Sequence, residues 1–181
     1  MKKELALTFV LWTVLSALVY LGLLHTVLHN WLDPDTGLFR SDKMILLPVV
    51  PGLLMLAVEL VLHTTAIFQH RTFALRAGEL PVKWYWLLLL LSGSMFVACL
   101  GFDVLYFALV DDSLPKAFAE TVAQISLQHG RIPDDEVLRS FAQLPLFAQN
   151  IFLNLVTIVL GNGLALLLGR KLAKPMAPEL T

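Results

Sequence analysis

The chain contains four long apolar stretches, and this feature restricts its fold more than any other. They cover residues 5–28, 44–68, 84–110 and 146–169. Each is long enough to cross the hydrocarbon core of a bilayer, which takes about 20 helical residues. Lipid offers the peptide backbone no hydrogen-bond partner, so a segment of this kind crosses as an α-helix. We therefore predict an all-α membrane protein, a bundle of four transmembrane helices that forms a single domain over residues 1–181.

The composition agrees with this prediction and argues against other classes of protein. Of the 181 residues, 57% are hydrophobic and 15% are charged, whereas soluble domains are about one half apolar and about one quarter charged. A net charge of −1 leaves no excess of basic residues for nucleic acid. The single cysteine, Cys99, allows neither an internal disulfide nor a CxxC redox pair. We interpret it as a small packing residue.

The distribution of lysine and arginine predicts which side of the membrane each loop occupies. Eight cations fall in the N-terminus, the loop between the second and third stretches, and the C-terminus, and five fall in the other two loops. Loops with the excess of cations stay in the cytoplasm. We therefore expect a multi-pass protein of the bacterial cytoplasmic (inner) membrane with both termini in the cytoplasm. Trp31 and the run Trp84, Tyr85 and Trp86 suit the aromatic belts at the two interfaces.

Residues 111–145, between the third and fourth stretches, predict a short extracytoplasmic hairpin of two amphipathic helices. The first begins near Pro115 and stops at Gly130, and the second begins near Asp134. Their apolar faces contain Phe118, Val122 and Ile125 in the first helix and Val137, Leu138, Phe141 and Leu144 in the second. The hairpin is either a packed cap over the bundle or a docking face for another protein. Six acids against three cations disfavour lipid binding driven by charge.

Six polar residues inside the apolar stretches are candidate functional residues, because polar and ionisable groups in the membrane are costly. A rise of about 1.5 Å per residue sorts them into two layers. The outer layer contains Asp103, Asn150 and Asn154, with His25 nearby, and the inner layer contains Glu59, His63 and Asn162, with Thr13 at a similar level.

Three interpretations of these layers remain open. In the first, the polar side chains form hydrogen bonds between helices, each worth about 0.6 kcal/mol. In the second, Glu59 and Asp103 are protonatable sites on a proton or ion path, with about 12 Å of vertical distance between them. In the third, the layers contact a partner subunit.

The histidines do not predict a bound cofactor. A bis-histidine haem needs ligands at one level of two helices, and the histidines of the first two stretches lie near opposite edges of the membrane. His25 and His29, four residues apart, could bind zinc together with Asp33 or Asp35, but that spacing alone is a weak signal. We interpret the pair as polar residues of the interface, and we predict no metal and no cofactor.

The sequence also lacks the motifs of a membrane enzyme. It contains no HExxH, GxSxG or P-loop motif. Together with the amphipathic insert, this favours a non-enzymatic protein that assembles or binds other membrane components besides lipid. Its contacts would use the 111–145 insert, with another membrane protein or a second copy of the chain. The alternative is a small proton- or ion-coupled transporter that uses Glu59 and Asp103.

The end of the third stretch and the segments after it carry a family resemblance. The third stretch leaves the membrane through the segment YFALVDD (106–112), the insert has Gly130 midway, and the fourth stretch closes on Gly169, Arg170 and Lys171. In these features the chain resembles a bacterial four-span family of unknown function, common in the Bacteroidetes. The resemblance implies the same four-span topology, an acidic insert and a basic C-terminal tail. It implies no activity and no catalytic residues.

Overall fold

A computed structural model describes residues 3–76 and 82–173 of the chain. Over these residues the protein consists of α-helices and contains no β-strand. In chain order the helices are α1 Lys3–His29, α2 Ser41–Met44, α3 Val50–Arg76, α4 Trp84–Leu109, α5 Ser113–Gln128, α6 Asp135–Ala142, α7 Leu146–Gln149 and α8 Ile151–Leu172. Four of them, α1, α3, α4 and α8, are long and apolar enough to cross a membrane. The predicted all-α bundle of four membrane helices is confirmed.

The second membrane helix lies further along the chain than the predicted stretch 44–68. It begins at Val50 and continues to Arg76, while Ser41–Met44 forms the separate short helix α2. Pro51 falls in the first turn of α3, where a missing backbone N–H costs nothing. The apolar stretch therefore includes a loop segment at its start and misses the more polar last turns of the helix.

The fourth apolar stretch, 146–169, is interrupted near its start. A four-residue helix, α7, ends at Gln149, and α8 begins at Ile151. Asn150 at the junction has φ −122° and ψ 36°, which lies outside the α-helical region. The membrane helix is therefore the segment from Ile151 to Leu172, and α7 turns away from it.

The four membrane helices form a ring in the order α1, α3, α8, α4, so that α1 and α8 are diagonal. The packing is closest between α3 and α8 and between α1 and α4. Because the chain reverses direction at each crossing, both of these pairs are parallel. The bundle therefore consists of two tightly packed parallel pairs. We call the end that carries α5, α6 and α7 the insert end.

Small residues allow the close packing of α8 against α3. A Cβ at Gly161 would collide with the carboxylate of Glu59, and a Cβ at Gly169 would lie 2.8 Å from Cγ2 of Ile67. Ala165, midway between the two glycines, is fully buried. Small residues four apart on one face let two helix backbones approach closely in a membrane.

The predicted helical hairpin between the third and fourth membrane helices is confirmed as α5 and α6. Gly130 in the connecting turn has φ +68°, a conformation that favours glycine. Asp134 caps α6, because its side chain accepts hydrogen bonds from the backbone N–H groups of Glu136 and Val137. The rings of Phe118 and Phe141 pack edge to face across the hairpin.

The buried face of α5 differs from the predicted one. Leu114, Ala117 and Thr121 are buried, whereas the predicted face through Phe118 is only half-buried. The cause is the first loop, which packs on α5: the N–H of Phe39 donates a hydrogen bond of 2.9 Å to Oγ1 of Thr121. In α6, none of the eight residues is buried, and Val137 is exposed.

Candidate functional site

Glu59, His63 and Asn162 meet in the interior of the bundle, between α3 and α8. All three are fully buried. The side-chain amide of Asn162 donates a 3.0 Å hydrogen bond to Oε1 of Glu59, and its Oδ1 lies 2.6 Å from Nδ1 of His63. We call these three residues the Glu59 centre.

The sequence builds this centre from two simple spacings. Glu59 and His63 are four residues apart, so they lie on one face of α3. Asn162 follows Gly161, whose missing side chain leaves the space that the Glu59 carboxylate occupies. The same glycine that brings α8 close to α3 therefore also makes room for a carboxyl group between them.

The hydrogen bonds of Asn162 fix the roles of its neighbours. Its Nδ2 donates to Oε1 of Glu59 and to the carbonyl of Ile158, at 2.9 Å, so both amide protons are used. Its Oδ1 therefore accepts from His63, which places a proton on Nδ1 of the imidazole. In neutral His63, Nε2 is then the basic nitrogen.

Two acceptor atoms of the Glu59 centre have no hydrogen-bond partner among the described residues. They are Oε2 of Glu59 and Nε2 of His63. An isolated charge in an apolar interior is strongly disfavoured, so the centre is most stable when it carries no net charge. It is neutral with a protonated Glu59 beside a neutral His63, or with an ionised Glu59 beside a protonated His63. The two forms contain the same number of protons and differ only in whether one of them is on Glu59 or on His63. The neutral centre therefore holds one exchangeable proton.

Thr13, expected at the level of the inner layer, makes its hydrogen bonds elsewhere. Its hydroxyl lies 2.9 Å from Oγ of Ser94 and 2.8 Å from the carbonyl of Val10. It therefore connects α1 to α4. The predicted inner layer is therefore divided in the structure. Glu59, His63 and Asn162 lie within the α3–α8 pair, and Thr13 lies within the α1–α4 pair.

Asp103 belongs to a second polar cluster, at the insert end. It is 1% exposed, and its Oδ2 accepts a 2.7 Å hydrogen bond from the backbone N–H of Phe147. Asn154 donates a 2.8 Å hydrogen bond to the carbonyl of the same residue. The Nε2 atom of His25 lies 3.7 Å from Oδ1 of Asp103. Asp103 and Asn154 therefore hold α7 against the bundle through the backbone N–H and the backbone carbonyl of one residue, Phe147.

Asn150 does not join this cluster through its side chain. It is exposed at the junction of α7 and α8, and its backbone carbonyl accepts from the N–H of Asn154 at 2.9 Å. Of the three residues expected in the outer layer, the structure therefore brings together Asp103 and Asn154 and leaves Asn150 at the surface.

His25 and His29 face different acids. His25 packs on Tyr106 with 4.1 Å between ring centroids, whereas Nε2 of His29 lies 3.1 Å from Oδ2 of Asp111. Partial burial acts to raise the pKa of Asp111, but the hydrogen bond from Ser113 and the nearby histidines outweigh it, so the pKa lies below its usual value. The Asp111 carboxylate therefore keeps its charge on acidification until the pH falls to that lowered pKa.

The structure does not bring together the zinc ligands considered from the sequence. Within residues 3–76 and 82–173, no group of three or more His, Cys, Asp or Glu side chains could hold a metal ion. Asp33 instead forms a turn, because its Oδ1 accepts from the N–H groups of Asp35 and Thr36.

Tyr20 is a buried polar residue that the sequence analysis did not select. It is 1% exposed, and it packs in one buried cluster with Met55 of α3 and Cys99 of α4. It therefore places a hydroxyl group in the interior of the bundle. A signal was present in the sequence: Thr13, Ser16 and Tyr20 recur at helical spacing on one face of α1.

Comparisons with known proteins add no functional information. No family model, no curated protein and no solved structure matches the chain. The resemblance to the bacterial four-span family therefore stays a prediction, and the geometry of the polar clusters is what bears on function.

Proposed function

We propose that this chain is a small proton-coupled transporter and that the Glu59 centre is its proton-binding site. One observation carries the proposal. A fully buried carboxyl group and a fully buried imidazole are joined by Asn162, and each keeps one acceptor atom without a partner among the described residues. Groups of this kind are expensive to bury in a membrane, and they are found where protons or ions are bound.

The ligand set favours a proton over a metal cation. Hard cations such as Ca²⁺ need six to eight oxygen ligands at about 2.3–2.6 Å. The Glu59 centre has one carboxylate and one amide oxygen, and the amide oxygen is already used by His63. A proton needs only one acceptor atom, and Oε2 of Glu59 and Nε2 of His63 each provide one.

The two acids that the sequence analysis paired have different roles in this proposal. Oδ2 of Asp103 accepts from the backbone N–H of Phe147, and Oδ1 lies 3.7 Å from Nε2 of His25, so we assign Asp103 to anchoring α7. Glu59 is the group that binds the proton. Tyr20 gives the interior of the bundle a further buried polar group.

The packing suggests how a buried proton site can reach water. The Glu59 centre lies inside the α3–α8 pair, and the Thr13–Ser94 contact lies inside the α1–α4 pair. Contacts between the two pairs are less extensive than contacts within them. A rocking of one pair against the other would expose one face of the centre and leave its hydrogen bonds intact, which is a common route to alternating access.

For the location we propose the bacterial cytoplasmic membrane, with both termini in the cytoplasm and the α5–α6 hairpin outside. The support is the excess of lysine and arginine in the segments that lie away from the insert end. Labelling of introduced cysteines from one side of the membrane tests this orientation.

The proposal is tested by proton flux into liposomes that contain the purified protein. We expect flux in the wild type and flux at the level of protein-free liposomes for Glu59→Gln, which keeps the shape of the side chain but cannot ionise. Asp42→Asn, which removes an exposed acid, is the matched control and keeps the flux. No flux in the wild type, or full flux in folded Glu59→Gln, would refute the proposal.

Assembly with another membrane component is the second candidate function, and the hairpin favours it. Ile132, in the turn between α5 and α6, is 94% exposed, and Leu127, near the end of α5, is 61% exposed. Exposed apolar side chains that cluster outside the lipid-facing helices are typical of interaction sites. Purification in mild detergent tests this candidate: a specific partner, or a second copy, that is lost in Ile132→Ser supports it. A monomer without a partner in both proteins contradicts it.

A further inference from the structure

A cavity of about 290 Å³ lies at the insert end of the bundle. Its inner wall is apolar and deeply buried, and it includes Leu24 of α1 and Phe147 of α7, which are 3% and 1% exposed. Tyr20 lies at the same wall. It precedes the end of α1 at His29 by nine residues, which corresponds to about 13 Å along the helix. The cavity thus reaches well below the level at which the helices end.

The cavity reaches the surface of the bundle on one side. Among its lining residues, Pro48, Asn150 and Leu153 are exposed. Pro48 precedes α3, and the other two lie at the start of α8, so the mouth is at the beginning of the α3–α8 pair. Both helices begin their membrane-crossing segments there, at Val50 and Ile151. The mouth therefore opens sideways, at the boundary between the apolar part of the membrane and its polar surface.

Apart from the hydroxyl of Tyr20, the polar side chains of the cavity lie on the mouth side or belong to one buried amide. Gln149 and Asn150 line the mouth, and Asn154 is held by the carbonyl of Phe147. All three are neutral amides, and no lining residue is charged. A ligand that fits must be a neutral, elongated apolar group that enters from the side, with a polar portion left near Asn150.

We propose that this cavity holds one acyl chain of a bilayer phospholipid. Native interiors rarely contain cavities larger than a water molecule, and an apolar cavity of about 150 Å³ already binds benzene. The material that surrounds the mouth at this depth is lipid hydrocarbon. A chain that enters between Pro48 and Leu153 extends toward Leu24, and its ester region stays at the level of the Asn150 amide. This site is independent of the Glu59 centre, so either proposal can fail without the other.

Photo-crosslinking with a phospholipid that carries a diazirine in its acyl chain tests the site. Lipids around the bundle can reach exposed side chains such as Leu15, which is 47% exposed, but not Leu24 or Leu28. We expect adducts on the buried cavity residues of the reconstituted wild type, located by mass spectrometry of its peptides. The experiment is repeated with a free fatty acid that carries the same diazirine, because this probe has the same acyl chain without the rest of the phospholipid.

Gly52→Leu is the variant that blocks the cavity. Gly52 lines it, and a Cβ at this position meets only Oγ1 of Thr157, at the ordinary contact distance of 3.8 Å. Gly22→Leu is the matched control, because its Cβ meets open space on an exposed face of α1. Leu153→Trp narrows the mouth and provides a second blocking variant should Gly52→Leu not fold.

The expected result is a loss of adducts on Leu24 in a folded blocking variant, with adducts on Leu15 retained and Gly22→Leu unchanged. Three results would overturn the proposal: no adduct on the buried wall of the wild type, adducts that persist in both folded blocking variants, or labelling by the free fatty acid alone. The last result would assign the cavity to a free fatty acid instead of a phospholipid.

Discussion

At the residue scale, Asn162 organises the Glu59 centre more than either ionisable group does. It uses both amide protons and its carbonyl oxygen, and so it contacts Glu59, His63 and its own helix at once. An amide that satisfies a carboxyl group and an imidazole without adding charge keeps the centre able to bind a proton. A lysine or arginine at this position would instead neutralise the carboxylate permanently.

Asn162→Leu should therefore destabilise the protein. The substitution leaves Oε1 of Glu59 and Nδ1 of His63 buried without a partner, which costs about 1–3 kcal/mol of the free energy of unfolding. Unfolding in mixed detergent micelles measures the loss. Asn150→Leu is the control, because Asn150 is exposed, and its stability should stay near that of the wild type. Equal losses in the two variants would contradict this role of Asn162.

The composition of this centre could be predicted, but the partners of the outer cluster could not. Helical spacing and depth placed Glu59, His63 and Asn162 at one level, because membrane helices are long and regular. Asp103 instead bonds to the backbone N–H of Phe147, which is free because α7 begins just before it. A backbone N–H is not specific to any residue type, so no sequence pattern predicts which one will bind Asp103.

At the element scale, α8 contains two glycines, Gly161 and Gly163, that look alike in the sequence and have different surroundings in the structure. A Cβ at Gly161 would collide with Glu59 and lie 3.2 Å from a methyl group of Leu56, whereas a Cβ at Gly163 meets nothing within 4 Å. Gly161 and Gly163 flank Asn162 in the sequence, and nothing in that run shows which of them faces a neighbouring helix. Only the facing helix distinguishes them.

The two glycines give opposite predictions. Gly161→Ala should destabilise the α3–α8 pair by about 1–3 kcal/mol, because overpacking forces Glu59 and the helices to shift. Gly163→Ala should be neutral or stabilise the protein by up to about 1 kcal/mol, because alanine is the better helix former. Unfolding of the two variants under identical conditions measures both effects. Similar effects in the two variants would show that α8 does not face α3 through Gly161.

At the scale of the whole molecule, the ring order α1, α3, α8, α4 could not be predicted. Each membrane helix is apolar around most of its circumference, so hydrophobicity does not mark the face that meets a neighbour. The number and approximate extent of the helices were predictable, since length and apolar character suffice for that. The pairing of α3 with α8 depends on small residues and on three polar side chains.

The orientation of the whole molecule predicts a pattern of cysteine labelling. An impermeant thiol reagent added to intact cells should label Gln128→Cys in the hairpin. It should label Lys171→Cys, in the last turn of α8, only after the membrane is opened. Both positions are exposed, whereas the native Cys99 is buried and serves as the unlabelled background in the wild type. The reverse pattern would place the hairpin in the cytoplasm.

The pairing of α3 with α8 has a consequence for how the protein is made. Asn162 lies 103 residues after Glu59, which at about 5–20 residues per second is roughly 5–20 s of synthesis. During that time α3, the least apolar of the four membrane helices, carries its carboxyl group without the amide that later satisfies it. Before α8 is inserted, α3 has only one of its two neighbours in the ring, α1, and α8 later completes its polar contacts. A chain truncated before α8 should thus be a preferred target for quality-control proteases of the membrane.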